Sequence, residues 1–452
     1  MRRLQVYIGR TPAGTLSEEN NLWVFSYDPA WAAAERGFDL SPALSRKKLR
    51  HEDGGTERPV QWYFDNLLPE ELLRQAVAKE AGIKDHEDAF ALLEYLGAES
   101  AGALTLLPPG EPLPDEAALR ELPDAALSRR ILALPRQTLS KEAPKRMSLA
   151  GAQHKMLLVV KGGALYEPVG ATPSTHILKP DHPDSATYPA SVFNEFLTMR
   201  LARAARLEVP AVQMRHVPEP VYLIERFDRA IRKPPPGQRS GDPLAAPAID
   251  RLHVIDACQL LNKARTFKHS GATLGALVQV IEKTSNKLQT RSRLFRWLVF
   301  NIVVGNDDCH MKNLSFVVNH DGVSLAPHYD LLSTGAYHTR ALADDDGRWN
   351  QVPMAFPLPG AKTFGDVTRD AVLAAAEVLG LPRRIAMRLM AEVTARVESE
   401  FAKLVAEHEE AARTAPAATA ERAAGMALEA RLLRVIQHIT LPDMLARLKD
   451  AS

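Results

Sequence analysis

An α+β protein is expected, with a mixed first half and a mainly helical second half. Three patterns in the 452 residues point there. The stretches Leu4-Gln5-Val6-Tyr7-Ile8 and Leu22-Trp23-Val24-Phe25-Ser26-Tyr27 alternate with the period of half-buried strands. A second set of short apolar runs, separated by turn residues, lies between positions 156 and 229. From 251 onward, apolar residues recur mainly at helical spacing.

In chain order, residues 1–107 form a small unit in which the opening strands give way to helix at 70–96. A proline- and acid-bearing connector follows over 108–145, with a helix near 125–134. The segment 146–232 begins with the small-residue loop 148–155 and the apolar run 156–160, and turns at Lys161-Gly162-Gly163. A short strand, Thr175-His176-Ile177-Leu178-Lys179-Pro180, ends on a lysine and is closed by proline. Residues 190–207 read as an amphipathic helix, with Phe193, Phe196, Leu197, Arg200, Leu201 and Ala204 at helical spacing. Tyr222-Leu223-Ile224-Glu225-Arg226-Phe227 is a strand running into a charged turn.

The proline-rich stretch 233–250 suits neither a helix nor an inner strand and reads as a mobile surface loop. The final segment, 251–452, is expected to be helical at 252–261, 274–283, 290–304, 364–379, 382–404 and 425–439. Between the last two, 407–424 is rich in alanine and charge, as in a solvated helix pair or a flexible joint.

The chemistry concentrates in Gly305-Asn306-Asp307-Asp308-Cys309-His310-Met311-Lys312-Asn313, which has the D-x-x-x-x-N spacing of a protein-kinase catalytic loop. In such a loop the aspartate accepts the proton of the substrate hydroxyl, and the asparagine holds magnesium. Asp308 fits the spacing and Asp307 does not. A lone motif of this kind is weak, but the residues immediately downstream strengthen it. Residues 314–318 and 323–325 read as strands about the turn Asn319-His320-Asp321-Gly322, a hairpin that brings Asp330 back beside Asn313 as a second metal-binding acid. Upstream, Lys179 is placed to reach nucleotide phosphates, Glu195 on the 190–207 helix is its candidate partner, and 222–229 is placed to present backbone to adenine.

Taken together, the chain resembles the HipA family of bacterial serine/threonine kinase toxins from end to end. The matching pieces are Phe64-Asp65-Asn66-Leu67-Leu68-Pro69, Gly97-Ala98-Glu99-Ser100-Ala101-Gly102-Ala103-Leu104 and Ala150-Gly151-Ala152-Gln153-His154-Lys155. They continue with Leu178-Lys179-Pro180, Glu225-Arg226-Phe227-Asp228-Arg229, Arg251-Leu252-His253, the 308–313 loop and Tyr329-Asp330-Leu331-Leu332-Ser333.

The resemblance implies a two-lobed, protein-kinase-like fold in which Asp308 is the catalytic acid–base residue and Asn313 and Asp330 bind magnesium. It implies an ATP site lined by Ala150, Gly151, Ala152, Gln153, His154, Lys155, Lys179, Glu225, Arg226, Phe227, His310, Met311, Lys312, Asn313, Tyr329, Asp330, Leu331 and Leu332. Ser148 stands where the family carries a serine that it phosphorylates itself to switch the kinase off. The implied partners are a HipB-like DNA-binding antitoxin, operator DNA through that antitoxin, and a protein substrate of translation such as the glutamyl-tRNA synthetase. The basic segment 382–388 reads either as a solvated face or as a contact to DNA phosphates. Two rivals remain: a non-catalytic corepressor of the same fold, and a kinase of small molecules or lipid head groups.

Two departures stand out. The phosphate loop has a single glycine, Gly151, and matches neither G-x-G-x-x-G nor a Walker A sequence. His154 stands where an acid is expected.

Composition adds little: 46% hydrophobic and 25% charged residues describe an ordinary globular chain of two to three domains, and a net charge of +1 selects no partner. Two cysteines, Cys258 and Cys309, argue against a disulfide scaffold, and Cys309 reads as a buried inert thiol. No signal-like or membrane-spanning run is expected, which makes the cytoplasm the default. The fourteen histidines show no zinc spacing, and all except His154 and His310 read as surface or core residues.

Overall fold

The structure, a computed structural model, describes residues 1–232, 247–414 and 419–449. It forms two compact units, each assembled from separated stretches of chain. The first comprises Met1–Pro180, Leu223–Phe267 and Ser315–Ala326, and the second Asp181–Tyr222, Lys268–Leu314 and Pro327–Ser452.

The first unit opens with an antiparallel sheet in the order Arg50–Glu52, Leu22–Tyr27, Thr11–Glu19, Arg2–Ile8, Leu104–Leu107. Strand alternation sends Leu4, Val6, Leu16 and Phe25 into the core, where all are fully buried. Phe25 meets Phe64 of the helix Pro59–Asp65 with ring centroids 5.7 Å apart, and Trp23 meets Phe90 of the helix Ala89–Leu96 at 5.2 Å. Burying each such aromatic contributes about 2–3 kcal/mol. The region expected to be helical at 70–96 is thus two helices, Glu71–Ala81 and Ala89–Leu96, the first ended by Gly82.

A second sheet of this unit runs Ala117–Glu121, Ala164–Gly170, Met156–Lys161, His176–Pro180, then the end of Pro220–Glu225. Lys161 pairs with Ala164 across Gly162-Gly163, both at positive φ, the geometry that a two-residue hairpin turn demands. Met156 pairs with Leu178, so Lys179 rides on an inner strand whose register is set by apolar neighbours.

The predicted hairpin is present as Ser315–Asn319 and Gly322–Leu325, with Asn319 opposite Gly322. The expected helix at 252–261 is corrected: the strands Ile249–Arg251 and Val254–Asp256 come first, and only Ala257–Leu260 is helical. Val254 pairs with Val317, a partner remote in sequence that local periodicity cannot reveal. The two-stranded ribbon Pro353–Leu358 and Ala361–Thr363 was likewise not expected. Residues 233–246 of the expected 233–250 loop lie outside the described residues.

The second unit is built on the helix Lys287–Val304, which packs against Leu274–Lys283, Arg383–Thr414 and Leu441–Leu448. Phe295, Trp297 and Phe300 on it are fully buried. Asn286 caps its start by accepting from the Gln289 amide, and Gly305 ends it at φ 67°, ψ 42°. A Cβ on Gly305 would lie 2.8 Å from the Trp349 ring, so both backbone and space require glycine. Gly305→Ala is expected to destabilise this unit by about 1–3 kcal/mol, read as a lower thermal midpoint, with disorder of the loop that begins there. An unchanged midpoint would refute the assignment. Among the described residues no helix is long and apolar enough to cross a membrane.

Candidate active site

The 305–313 loop leaves the central helix under tight control. Asn301, buried on that helix, accepts at Oδ1 from Asn306 Nδ2 at 2.7 Å. Asn306 in turn accepts the Asp308 amide at 3.1 Å, and Asn313 Nδ2 donates to the Asp308 carbonyl at 3.0 Å. The five-residue spacing between Asp308 and Asn313 therefore closes a small hydrogen-bonded loop that leaves the Asp308 residue exposed. Its neighbour is committed elsewhere: the Asp307 amide donates to Thr334 Oγ1 at 2.8 Å, and its carboxylate meets His338 Nε2 at 3.1 Å. Cys309 is buried, with Sγ donating to the Asn306 carbonyl at 3.4 Å. Burial, with Asp308 and Asp307 adding to it, pushes its thiol up, so it stays protonated and inert.

Beyond the hairpin, the Tyr329 hydroxyl donates to the Lys312 carbonyl at 2.8 Å, fixing the chain before Asp330 to the chain before Asn313. Asp330 has φ 59°, a left-handed conformation that a non-glycine residue adopts at a cost of about 1–3 kcal/mol and that clusters at functional sites. The helix Ser191–Ala204 reaches this neighbourhood too. Asn194 on it holds Ser333 at both backbone groups, accepting from its amide at 2.8 Å and donating to its carbonyl at 3.1 Å. Glu195 is buried on the same helix. Burial pushes the phenol of Tyr222 well up, and the charges of Glu195 and Asp330 add to that.

In the first unit, the loop 148–155 is seated against the pieces 67–70 and 99. The Ser148 hydroxyl donates to the Leu67 carbonyl at 2.6 Å and its amide to the Glu99 carbonyl at 2.7 Å. The Glu70 amide donates to the Gly151 carbonyl at 3.2 Å, and Pro69 and Gly151 form a β-bridge. Lys155 Nζ donates to the Ala150 carbonyl at 2.7 Å, folding the loop on itself, and Gly151 sits at φ 106°, where a Cβ would meet that ammonium. Ala150, Gly151, Ala152, Gln153 and Lys155 are half-buried, and His154 is buried. Lys179 is buried on its strand, a placement that a lysine takes only with anionic company.

Glu225 is exposed, Phe227 is half-buried, and Arg226 is buried. The Arg226 guanidinium donates to Asp228 at 2.7 and 2.9 Å and approaches Glu99 at 3.3 Å. Its side chain is thus a structural cation, in keeping with a segment expected to present backbone. Met311, Lys312 and Leu331 are buried, while His310, Tyr329 and Leu332 are half-buried.

A family model described as the HipA N-terminal domain matches residues 4–107, and one described as the HipA-like C-terminal domain matches residues 147–401. The chain belongs to the HipA family. The serine/threonine-protein kinase toxin HipA of Shewanella oneidensis is 28% identical over 427 residues, covering 89% of each chain. A Sinorhizobium fredii protein that carries the name "Putative kinase Y4mE" is 36% identical over 325 residues, covering 69% of this chain and 72% of that protein. A solved structure of Shewanella oneidensis HipA with HipB and its operator DNA superposes with a TM-score of 0.74 and 25% identity, covering 99% of this chain and 100% of that one. The mixed α+β architecture expected of a HipA-family chain is the one found.

Sequence reading missed the residues that hold the candidate segments of each unit in place. Glu99 is wholly buried and receives Lys145 at 3.0 Å, Arg229 at 2.9 Å and Arg226 at 3.3 Å, together with the amide and hydroxyl of Ser174. Burial alone would raise its carboxyl, but Lys145, Arg229, Arg226 and Arg251 outweigh burial and hold it well below the usual range. The signal was available: a lone carboxylate among small and apolar residues at 96–104 needs buried cations. Asn194 carried no such signal, because its partner, Ser333, is remote in sequence.

Proposed function

We propose that this chain is a serine/threonine-protein kinase toxin that transfers the γ-phosphate of ATP to a protein of translation, with an aminoacyl-tRNA synthetase such as the glutamyl enzyme as the substrate class. The observation that carries the reading is the closed Asp308–Asn313 loop with its exposed acid, in a chain of the HipA family. Asp308 accepts the proton of the attacking hydroxyl, and Lys179 contacts the nucleotide phosphates. The donors present fit magnesium: Asp330 offers carboxylate oxygens and Asn313 an amide oxygen, the hard ligands that this ion takes. Bound there, the ion would neutralise phosphate charge. A HipB-like DNA-binding antitoxin is the proposed partner, with operator DNA engaged through it, and the cytoplasm the proposed location.

Labelled ATP with magnesium and cell lysate, run beside Asp308→Asn, tests the reading. Label entering a protein only with intact Asp308 supports it. No transfer favours a corepressor role, and label confined to small molecules favours the third reading.

Self-silencing at Ser148 is part of the proposal and has a structural consequence. The hydroxyl is buried against the Leu67 carbonyl, so the loop must leave its seat before Ser148 can accept a phosphoryl group. A phosphate dianion cannot return to a carbonyl acceptor, and the loop stays out. Mass spectrometry of the purified chain is expected to show phosphate at Ser148, absent from Asp308→Asn. An active preparation unmodified at Ser148 would count against the switch.

A further inference from the structure

Beside the catalytic loop runs the segment that carries His269. The Met311 amide donates to the Lys268 carbonyl at 3.1 Å, which sets His269 against His310 with rings edge to face and centroids 4.9 Å apart. The His310 amide donates to the Asp308 carbonyl at 2.8 Å, so backbone bonds hold all three residues in one place. One ring nitrogen from each histidine and one Asp308 oxygen lie within 4.8 Å of one another. His269 and Asp308 are exposed and His310 is half-buried, which leaves the group open to solvent.

Two imidazoles and a carboxylate form the three-ligand set that zinc and its neighbours take, with a position left for water. Magnesium prefers an all-oxygen shell and is poorly served here. Ligand atoms around a tetrahedral ion stand roughly 3.3–3.5 Å apart, so closing the set from 4.8 Å needs only a rotation of exposed side chains.

We propose that His269, Asp308 and His310 bind a transition-metal dication of the zinc, cobalt or nickel class, and that binding arrests phosphoryl transfer by occupying the catalytic carboxylate. A carboxylate bound to a dication no longer offers its lone pair to a hydroxyl proton. The arrest rests on the kinase reading above; the binding does not.

The test uses the full chain, stripped with chelator and titrated with zinc by calorimetry in the absence of nucleotide. One saturable equivalent is expected, weakened about tenfold or more in His269→Ala and also in His310→Ala. His269 is exposed, so the variant should keep the wild-type circular dichroism and, without zinc, the wild-type transfer rate. Zinc should arrest the wild type and spare His269→Ala. Affinity indifferent to both histidines, or equal arrest of both proteins, overturns the proposal. Histidine-dependent binding in a chain that never transfers phosphate would sink the kinase reading and leave the site standing. Transfer with histidine-indifferent binding would do the reverse.

Discussion

Asp308→Asn is expected to lower the rate of phosphoryl transfer by about 10²–10⁴-fold, the range that a positioned proton acceptor contributes. The change is isosteric at an exposed residue, and the loop's internal bonds run through the Asp308 backbone. Folding stability should therefore move by no more than about 0.5 kcal/mol. Asp307→Asn is the informative contrast. Asp307 meets His338 at 3.1 Å and belongs to the loop's support, so its loss should cost about 1 kcal/mol or less and leave transfer within about tenfold of wild type. Equal loss of rate in the two variants would show that spacing had selected the wrong acid. Rates at saturating ATP, beside thermal melts, separate these outcomes.

Glu99→Ala is expected to have the largest effect on stability, about 3–5 kcal/mol, because it strips the shared partner from three buried cations. That is a large share of the roughly 5–15 kcal/mol that keeps a domain folded. Asp228 cannot compensate alone, since its carboxylate already serves Arg226, Arg229 and the Gly102 amide. Burial alone would raise Asp228 as well, but Arg226 and Arg229 outweigh it, so both carboxyls are depressed in the folded chain. A depressed carboxyl stabilises the fold fully above its unfolded value of about 4 and loses that contribution progressively as pH falls from there through its lower folded value. The wild-type melting temperature should therefore drop as the medium is acidified below about pH 4, and Glu99→Gln should show a shallower drop. A Glu99→Ala chain that melts with the wild type would show that the network contributes nothing net. The change also tests the phosphate loop, because Ser148 is tied to the backbone of the same residue. Limited proteolysis near 148–155 should rise in Glu99→Ala.

Several features needed no tertiary information. The strands Arg2–Ile8 and Leu22–Tyr27 alternate, the turn at 162–163 is written in two glycines, and the helix Lys287–Val304 lies between an asparagine cap and a glycine stop. In each the cause sits within a few residues of the effect. The choice of Asp308 over Asp307 rested on the count to Asn313, and that count is the size of the ring that the Asn313 bond closes. The helix expected at 252–261 failed for the opposite reason. Val254–Asp256 is a strand because the hairpin Ser315–Asn319 offers it an edge, and an apolar run of that length is neutral until a partner arrives.

The same division runs through the candidate site. Residue types and spacing alone singled out the side chains proposed to carry chemistry: a strand lysine, an acid, an amide and a second acid, in that chain order. Only the folded chain decided what holds them and what they exclude. It turned Arg226 inward to Glu99 and Asp228, sealed the Ser148 hydroxyl against Leu67, and drew His269, one of fourteen scattered histidines, to Asp308. The physical reason is that a buried charge or hydroxyl must find a partner wherever the chain happens to pass, and that meeting place is set by packing, not by distance along the sequence.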